Sequence, residues 1–211
     1  MKPQVVILAS GNGSTAEAFI RAAQTGEVNA EVPLIIVSRS DAGIWQRIEN
    51  LNAEFGLKIQ GELISHKTHP LADAEEDRRG YQTAAEEAAM LEKLRETKPD
   101  LIMAMGYMKH VGTSVVNEYG WRSDYTSMFQ AMMLNTHPGL LPDTAAYYGQ
   151  NIQQYVLDHH LPYAGHSLHL ISDGYDEGPI VAEYKVPVEP NDTAETLFER
   201  VQASEKAHLP H

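Results

Sequence analysis

A doubly wound α/β fold with a mostly parallel sheet is the class that this 211-residue sequence predicts, and three features point to it. Short continuous apolar runs of buried-strand length alternate with longer stretches whose apolar residues recur every three to four positions, the rhythm of βαβ units. Glycines stand where strands would hand over to helices. After residue 150 the rhythm changes to two strand-like runs joined by a short turn, which reads as an antiparallel addition near the C-terminus.

Each element follows from its own residues. Val5-Val6-Ile7-Leu8-Ala9 is apolar at every position, as a strand covered on both faces must be. Ser10-Gly11-Asn12-Gly13-Ser14 follows, and residues 15–23 carry helical spacing, so the unit reads strand, glycine turn, helix. Val32 to Ser38 is a second buried strand, and a helix is expected from about Ala42 to Phe55, ended by Gly56. A third, shorter strand is expected at Leu57-Ile59 or Glu62-Ser65. After the acidic stretch Asp73 to Asp77, a long helix runs to about Lys98, with Ala84, Ala88, Leu91 and Leu94 on its apolar stripe and Pro99 closing it. Asp100 to Met105 is a fourth strand, broken at Gly106, and Ala131 to Asn135 a fifth. A helix is expected near Asn151-Asp158 and antiparallel strands at Ala164-Ile171 and Ile180-Val186. The final helix is expected from Thr193 to about Ala207, with Asp192 as N-cap and Glu195 three residues on.

Composition narrows the function. Hydrophobic residues make up 43% of the chain, enough for an ordinary core, and no linker interrupts it, so one domain over residues 1–211 is expected. No apolar run approaches the ~20 residues of a membrane helix. Met1-Lys2-Pro3-Gln4 leads into a strand-like run without the apolar region and cleavage site of a signal peptide, so a cytoplasmic protein is expected. There is no Cys, hence no disulfide framework and no thiolate chemistry. The formal net charge of -13 argues against a nucleic-acid partner, which needs clustered Lys and Arg.

In a parallel sheet of this kind, ligands sit beyond the carboxyl ends of the strands. Gly11-Gly13, Gly106-Lys109 and Asn135-His137 all fall at such ends and should converge. Asn135 and His137 are two apart on a strand and point the same way, so an amide and an imidazole could together hold an oxyanion developing at a carbonyl. The bare Asn-x-His pattern also fits a strand-to-turn junction with a capping Asn. The turn Gly11-Asn12-Gly13-Ser14 can cradle an anion on backbone N–H groups and a helix dipole, and a phosphate is its natural guest. Gly11-x-Gly13-x-x-Ala16 also fits a dinucleotide fingerprint, and with Arg39 at the end of the second strand it keeps an NADP-binding oxidoreductase open. Asp173 to Pro179 is an acidic turn in which an Asp could orient an imidazolium, although most Asp-Gly turns are only turns. His166 and His169 are three apart on a strand and face opposite sides, poor geometry for a shared metal, and no metal site is expected. Met103, Met105 and Met108 read as core and adaptable pocket lining.

Taken in order, Ser10-Gly11-Asn12-Gly13-Ser14, Met105-Gly106-Tyr107-Met108-Lys109, Asn135-Thr136-His137-Pro138-Gly139-Leu140-Leu141-Pro142, Gly165-His166-Ser167-Leu168-His169 and Asp173 to Pro179 resemble the phosphoribosylglycinamide formyltransferase family of purine synthesis. The resemblance runs from about residue 4 to residue 210 and implies a Rossmann-like formyltransferase fold. It implies Asn135, His137 and Asp176 as the catalytic trio, and Gly11, Asn12, Gly13, Ser14, Thr15, Gly106, Glu205 and Arg79 as contacts to the phosphorylated amine, with Arg78 competing for the last place. It implies Met108, Lys109, His110, Val111 and the loop Ile171, Ser172, Asp173, Gly174, Tyr175 as the folate pocket. The co-substrate implied is 10-formyltetrahydrofolate, with residues of about 1–100 serving the ribonucleotide and about 101–211 the folate and the chemistry. The implied partners are small molecules, with a monomer or homodimer as the assembly. The chain departs from the family pattern at Thr15 for Asn, Lys109 for Arg and His110 for an aliphatic residue. It departs also over residues 143–148 and in an apparent insertion, Trp121 to Gln130. A formyltetrahydrofolate hydrolase, using the same trio on water, and a formyltransferase for another amine are the near alternatives.

Overall fold

The computed structural model describes residues 1–72, 80–145 and 147–209. Its centre is one seven-stranded sheet. The strands are β1 (Gln4–Ala9), β2 (Glu31–Val37), β3 (Gln60–Leu63), β4 (Leu101–Met105), β5 (Met133–His137), β6 (Tyr163–Leu170) and β7 (Ile180–Pro187). They lie in the order β3-β2-β1-β4-β5-β6-β7. β1 to β5 are mutually parallel, β6 runs antiparallel to β5, and β7 antiparallel to β6. The winding reverses between β1 and β4, which opens a crevice beyond their carboxyl ends. The turn after β1 and Gly106 after β4 flank that crevice and are tied together, since the Ser10 N–H donates to the Gly106 carbonyl at 3.1 Å.

Among the described residues, six helices cover the sheet: α1 (Ser14–Thr25), α2 (Ile44–Phe55), α3 (Ala84–Thr97), α4 (Thr113–Tyr119), α5 (Gln150–Asp158) and α6 (Ala194–His208). The two-residue alternation of β1 divides the core. Val5, Ile7 and Ala9 pack with Phe19 and Ile20 of α1 and Ile44, Ile48 and Leu51 of α2 on one face. Val6 and Leu8 pack with Met90, Leu91 and Leu94 of α3 and Val115, Val116 and Tyr119 of α4 on the other. With both faces covered, each such strand must be apolar throughout, and burying one Ile or Leu contributes ~1.5–3 kcal/mol. Val156, Ala164, Val186, Leu197 and Val201 form a smaller cluster that seats α5 and α6 on β6 and β7.

Several element boundaries differ from those the sequence suggests. β3 overlaps the second of the two segments proposed for it at Glu62 and Leu63; Ile59, just before the strand, joins the core cluster of Ile35 and Leu51, and Ile64, just after it, joins that of Leu34 and Ile36 on the other face. α3 starts at Ala84, capped by a box in which Thr83 and Glu86 bond reciprocally. Its inward stripe is Glu86, Met90, Leu91 and Leu94, while Ala84 and Ala88 are exposed, since longer side chains are needed to reach the sheet. The N-cap of α6 is Thr193, not Asp192, and its partner is Thr196. Asp192 instead accepts from the Glu189 N–H at 2.7 Å and pairs with Arg200. β5 starts at Met133 and continues through His137, and the apparent insertion before it ends in a 3-10 turn at Met128–Gln130. The acidic stretch Asp73 to Asp77 and Arg79 lie outside the described residues. No helix among the described residues is long and apolar enough to cross a membrane.

Candidate active site

Asn135 and His137 do share a face of β5, and the loop after β6 brings Asp176 against both. The Asn135 Nδ2 donates to Asp176 Oδ1 at 3.4 Å, and His137 Nδ1 lies 3.4 Å from Asp176 Oδ2. Asp176 reaches them from a left-handed backbone position, φ +56°, one that Asp and Asn tolerate better than most residues. Burial selects this carboxylate: the side chain of Asp176 is 8% exposed, whereas Asp173 and Glu177 on the same turn are exposed to solvent.

A fourth residue completes the group. His169 stands opposite Asn135 in the β5–β6 ladder, with Nε2 at 2.9 Å from Asn135 Nδ2 and 3.4 Å from Asp176 Oδ1. Its Nδ1 is 3.1 Å from the Leu170 carbonyl, which can only accept, so Nδ1 carries the proton and Nε2 accepts from the amide. The sequence placed His169 on the face opposite His166 without connecting it to Asn135, and only the antiparallel register makes that link. His166 packs away from the site, stacked on Tyr184, and burial lowers its pKa to about 4.

The tautomer of His137 is set by residues just outside the strand. Its Nε2 is 3.1 Å from the carbonyl oxygen and 3.1 Å from the hydroxyl of Thr144, and that hydroxyl donates onward to the Leu140 carbonyl at 2.9 Å. Nε2 therefore carries a proton, and the titrating position is Nδ1, which faces Asp176. Burial holds the His137 pKa below its ordinary 6.5, outweighing the charge of Asp176, which acts upward. Desolvation thus outweighs the carboxylate at this ring.

The glycine turn after β1 opens on the same space. Gly13 is the N-cap of α1 at φ +73°, and no side chain caps the helix, so its first N–H groups face the cleft without an intrahelical partner. A Cβ at Gly13 would lie 2.2 Å from Ile44 Cδ1, so glycine is required there, whereas a Cβ at Gly11 would meet nothing within 4 Å. Glu205 of α6 closes the floor, accepting hydrogen bonds from the hydroxyls of Thr15, at 3.2 Å, and Thr136. Its burial raises its pKa above the ordinary 4.5.

Two cavities meet at Asn135 and Asp176. A cleft enclosing about 950 Å³ is lined by Gly11 to Thr15, Gly106, Met108, Asn135, His137, Asp176 and Glu205, with Tyr147 and Tyr148 on its rim. A narrower one of about 420 Å³ is lined by Lys109, His110, Val111, Ile171, Ser172, Gly174 and Tyr175, and shares Asn135, Asp176, Tyr107 and Tyr175 with the first. Met108 thus belongs to the wider cleft, and Asp173 offers its carbonyl rather than its side chain to this region, accepting from His110 Nε2. The Lys109 ammonium pairs with the fully buried Glu86 at the start of α3. Arg39 does not line the crevice, and its Nε and Nη2 donate to Asp41 at 3.0 and 2.8 Å.

Comparison with known proteins agrees with this geometry. Residues 3–211 match the formyl transferase family. The chain is 28% identical to the phosphoribosylglycinamide formyltransferase of Escherichia coli (strain K12), over 98% of this chain and 83% of that protein. It is 31% identical to the protein of that name from Mycobacterium tuberculosis, over 98% and 81%. Among solved structures, the phosphoribosylglycinamide formyltransferase of Brucella melitensis superposes with a TM-score of 0.77 at 32% identity, covering 100% of this chain and 93% of that one. The Coxiella burnetii phosphoribosylglycinamide formyltransferase does so with a TM-score of 0.78 at 29% identity, covering 100% and 84%. A match across essentially the whole length, in sequence and in fold, shows that the chain belongs to the phosphoribosylglycinamide formyltransferase family.

Proposed function

We propose that this protein transfers the formyl group of 10-formyltetrahydrofolate to the amine of phosphoribosylglycinamide. The observation that carries the reading is the meeting of two cavities at Asn135 and Asp176, beside His137 in the wider one: one opens onto a phosphate-type turn, the other is a narrower slot partly walled by aromatic side chains. A two-substrate acyl transfer needs that arrangement, because the amine and the carbonyl must approach each other at one set of polar groups. The first half of the chain, about residues 1–100, supplies the phosphate side through Gly11 to Thr15. The second half supplies the folate side through residues 108–111 and 171–175, with Gly106 and Glu205 bordering the amine.

The amine attacks the formyl carbon directly, with no covalent bond to the protein. Asn135 and His137 hold the oxyanion that develops on the formyl oxygen, a role in which one donor contributes ~10²–10³ in rate. The free site keeps His137 largely uncharged, and negative charge developing beside Nδ1 favours its protonation, with Asp176 stabilising the imidazolium. Asp176 and an adjacent water then carry the proton from the attacking amine toward the departing folate nitrogen. Thr144 keeps the imidazole in the tautomer that this requires.

The test is a formyl-transfer assay with the purified chain, 10-formyltetrahydrofolate and a panel of amines. Turnover with phosphoribosylglycinamide, and much less with its unphosphorylated riboside, is expected. Formate release without any amine supports the hydrolase instead. Thermal stabilisation by NADP but not by the ribonucleotide supports an oxidoreductase, although the Arg39–Asp41 pair would first have to open.

A further inference from the structure

The two walls of the narrower cavity come from segments distant in sequence, residues 109–111 after β4 and residues 171–176 after β6, and one side chain joins them. His110 Nε2 donates to the Asp173 carbonyl oxygen at 2.8 Å. Its ring stacks with Tyr81, with centroids 4.6 Å apart and planes at 27°, and with Tyr175, at 6.1 Å and 25°. The base of this connection is fixed as well. The His110 N–H donates to the Gly80 carbonyl at 2.7 Å, and the His110 carbonyl accepts from the Gln82 N–H at 3.3 Å, so its backbone is bridged to a neighbouring segment. Asp173 lies three residues before Asp176, and Tyr175 lies beside it. Any movement of the loop at Asp173 therefore passes to the carboxylate that contacts His137 and His169.

We propose that His110 is a positioning residue that clamps the 171–176 loop to the wall formed by residues 109–111, setting the width of the cavity for the folate-type donor and the placement of Asp176. The clamp has two separable parts. The Nε2–H bond fixes how far the loop stands from the wall, and the ring stack fixes the tilt of Tyr175. The Asp173 carbonyl can only accept, so the hydrogen is on Nε2 while the clamp is closed. The kinetic consequence rests on the formyl-transfer reading given above, while the clamp itself can be observed without substrate.

The test compares wild type with His110→Phe, which keeps a flat ring and loses the donor, and His110→Gln, which keeps a donor and loses the ring. Amide hydrogen exchange on the ligand-free proteins reads the loop directly. Exchange at Ile171, which opens the loop and whose N–H donates to the Met133 carbonyl at 3.0 Å, is expected to quicken ~3- to 10-fold in His110→Phe, on the scale of one lost hydrogen bond, and to recover in part in His110→Gln. In the formyl-transfer assay, His110→Phe is expected to raise KM for 10-formyltetrahydrofolate by ~3- to 10-fold while KM for the ribonucleotide stays the same, with partial rescue by His110→Gln. Unchanged exchange in His110→Phe, or KM rising equally for both substrates, overturns the proposal. If wild type shows no formyl transfer with any amine, the functional reading fails, and the exchange measurement alone decides whether the clamp exists.

Discussion

Replacing Asp176 with Asn is the most informative single change, because it preserves shape and backbone while removing one charge. Asn tolerates the left-handed conformation at φ +56°, so the loop keeps its path. The carboxylate lies 3.4 Å from His137 Nδ1, and an opposite charge at such a distance shifts a pKa by ~1–3 units. The sign follows directly. Burial already lowers the His137 pKa and Asp176 acts against it, so removing Asp176 lowers the pKa further. Well above both pKa values, the imidazolium population then falls by ~10- to 10³-fold, since each unit is a factor of ten. If charge on His137 stabilises the oxyanion, kcat at neutral pH falls by the same ~10- to 10³-fold, with both KM values little changed. The deficit should shrink as pH is lowered, because both proteins become charged below the pKa of the variant. The assay is the pH dependence of kcat at saturating substrates for wild type, Asp176→Asn and Asp173→Asn. An Asp176→Asn profile reduced by one constant factor at every pH would refute the electrostatic role. A defect confined to Asp173→Asn would show that the wrong carboxylate has been assigned.

Other changes probe the remaining parts. His137→Ala and Asn135→Ala are each expected to lower kcat ~10²- to 10³-fold with KM for the ribonucleotide nearly unchanged, as steady-state kinetics would show, because the oxyanion exists only at the reacting centre. Gly11→Ala should raise KM for the phosphorylated amine but not for its unphosphorylated analogue, and should leave the stability within the ~0.5 kcal/mol scatter of surface substitutions, since its Cβ meets nothing. Gly13→Val, by contrast, should lower the melting temperature as well, through its collision with Ile44 and the strained φ. Glu205→Gln should reveal a pH-dependent cost of burial. The folded pKa of Glu205 is raised, so its contribution to stability is full below the ordinary 4.5 and lost as pH rises through the raised value. The melting temperature of Glu205→Gln should therefore gain on wild type as pH climbs from 4.5, and a gap independent of pH would contradict the assignment.

The sequence by itself determined the class of the sheet, the strand-turn-helix units and the shared face of Asn135 and His137. These depend on neighbouring residues: a strand covered on both faces must be apolar throughout, side chains alternate with a period of two, and a Gly-rich turn after a strand opens the next helix. The Asp173 to Pro179 turn was visible as an acidic turn, and family resemblance, not spacing, singled out Asp176. The tertiary structure decided what depends on distant pairing. The β5–β6 register sets His169 against Asn135 across 34 positions, and the turn after β5 brings Thr144 to His137 Nε2. The meeting of two loops joins His110 to Asp173 across 63 positions. The charge balance at His137 is likewise tertiary, because desolvation depends on everything packed around the ring and outweighs the one carboxylate that the sequence resemblance supplied. Periodicity is a property of consecutive residues and can be read along the chain, whereas register and burial arise only when segments far apart in sequence become neighbours.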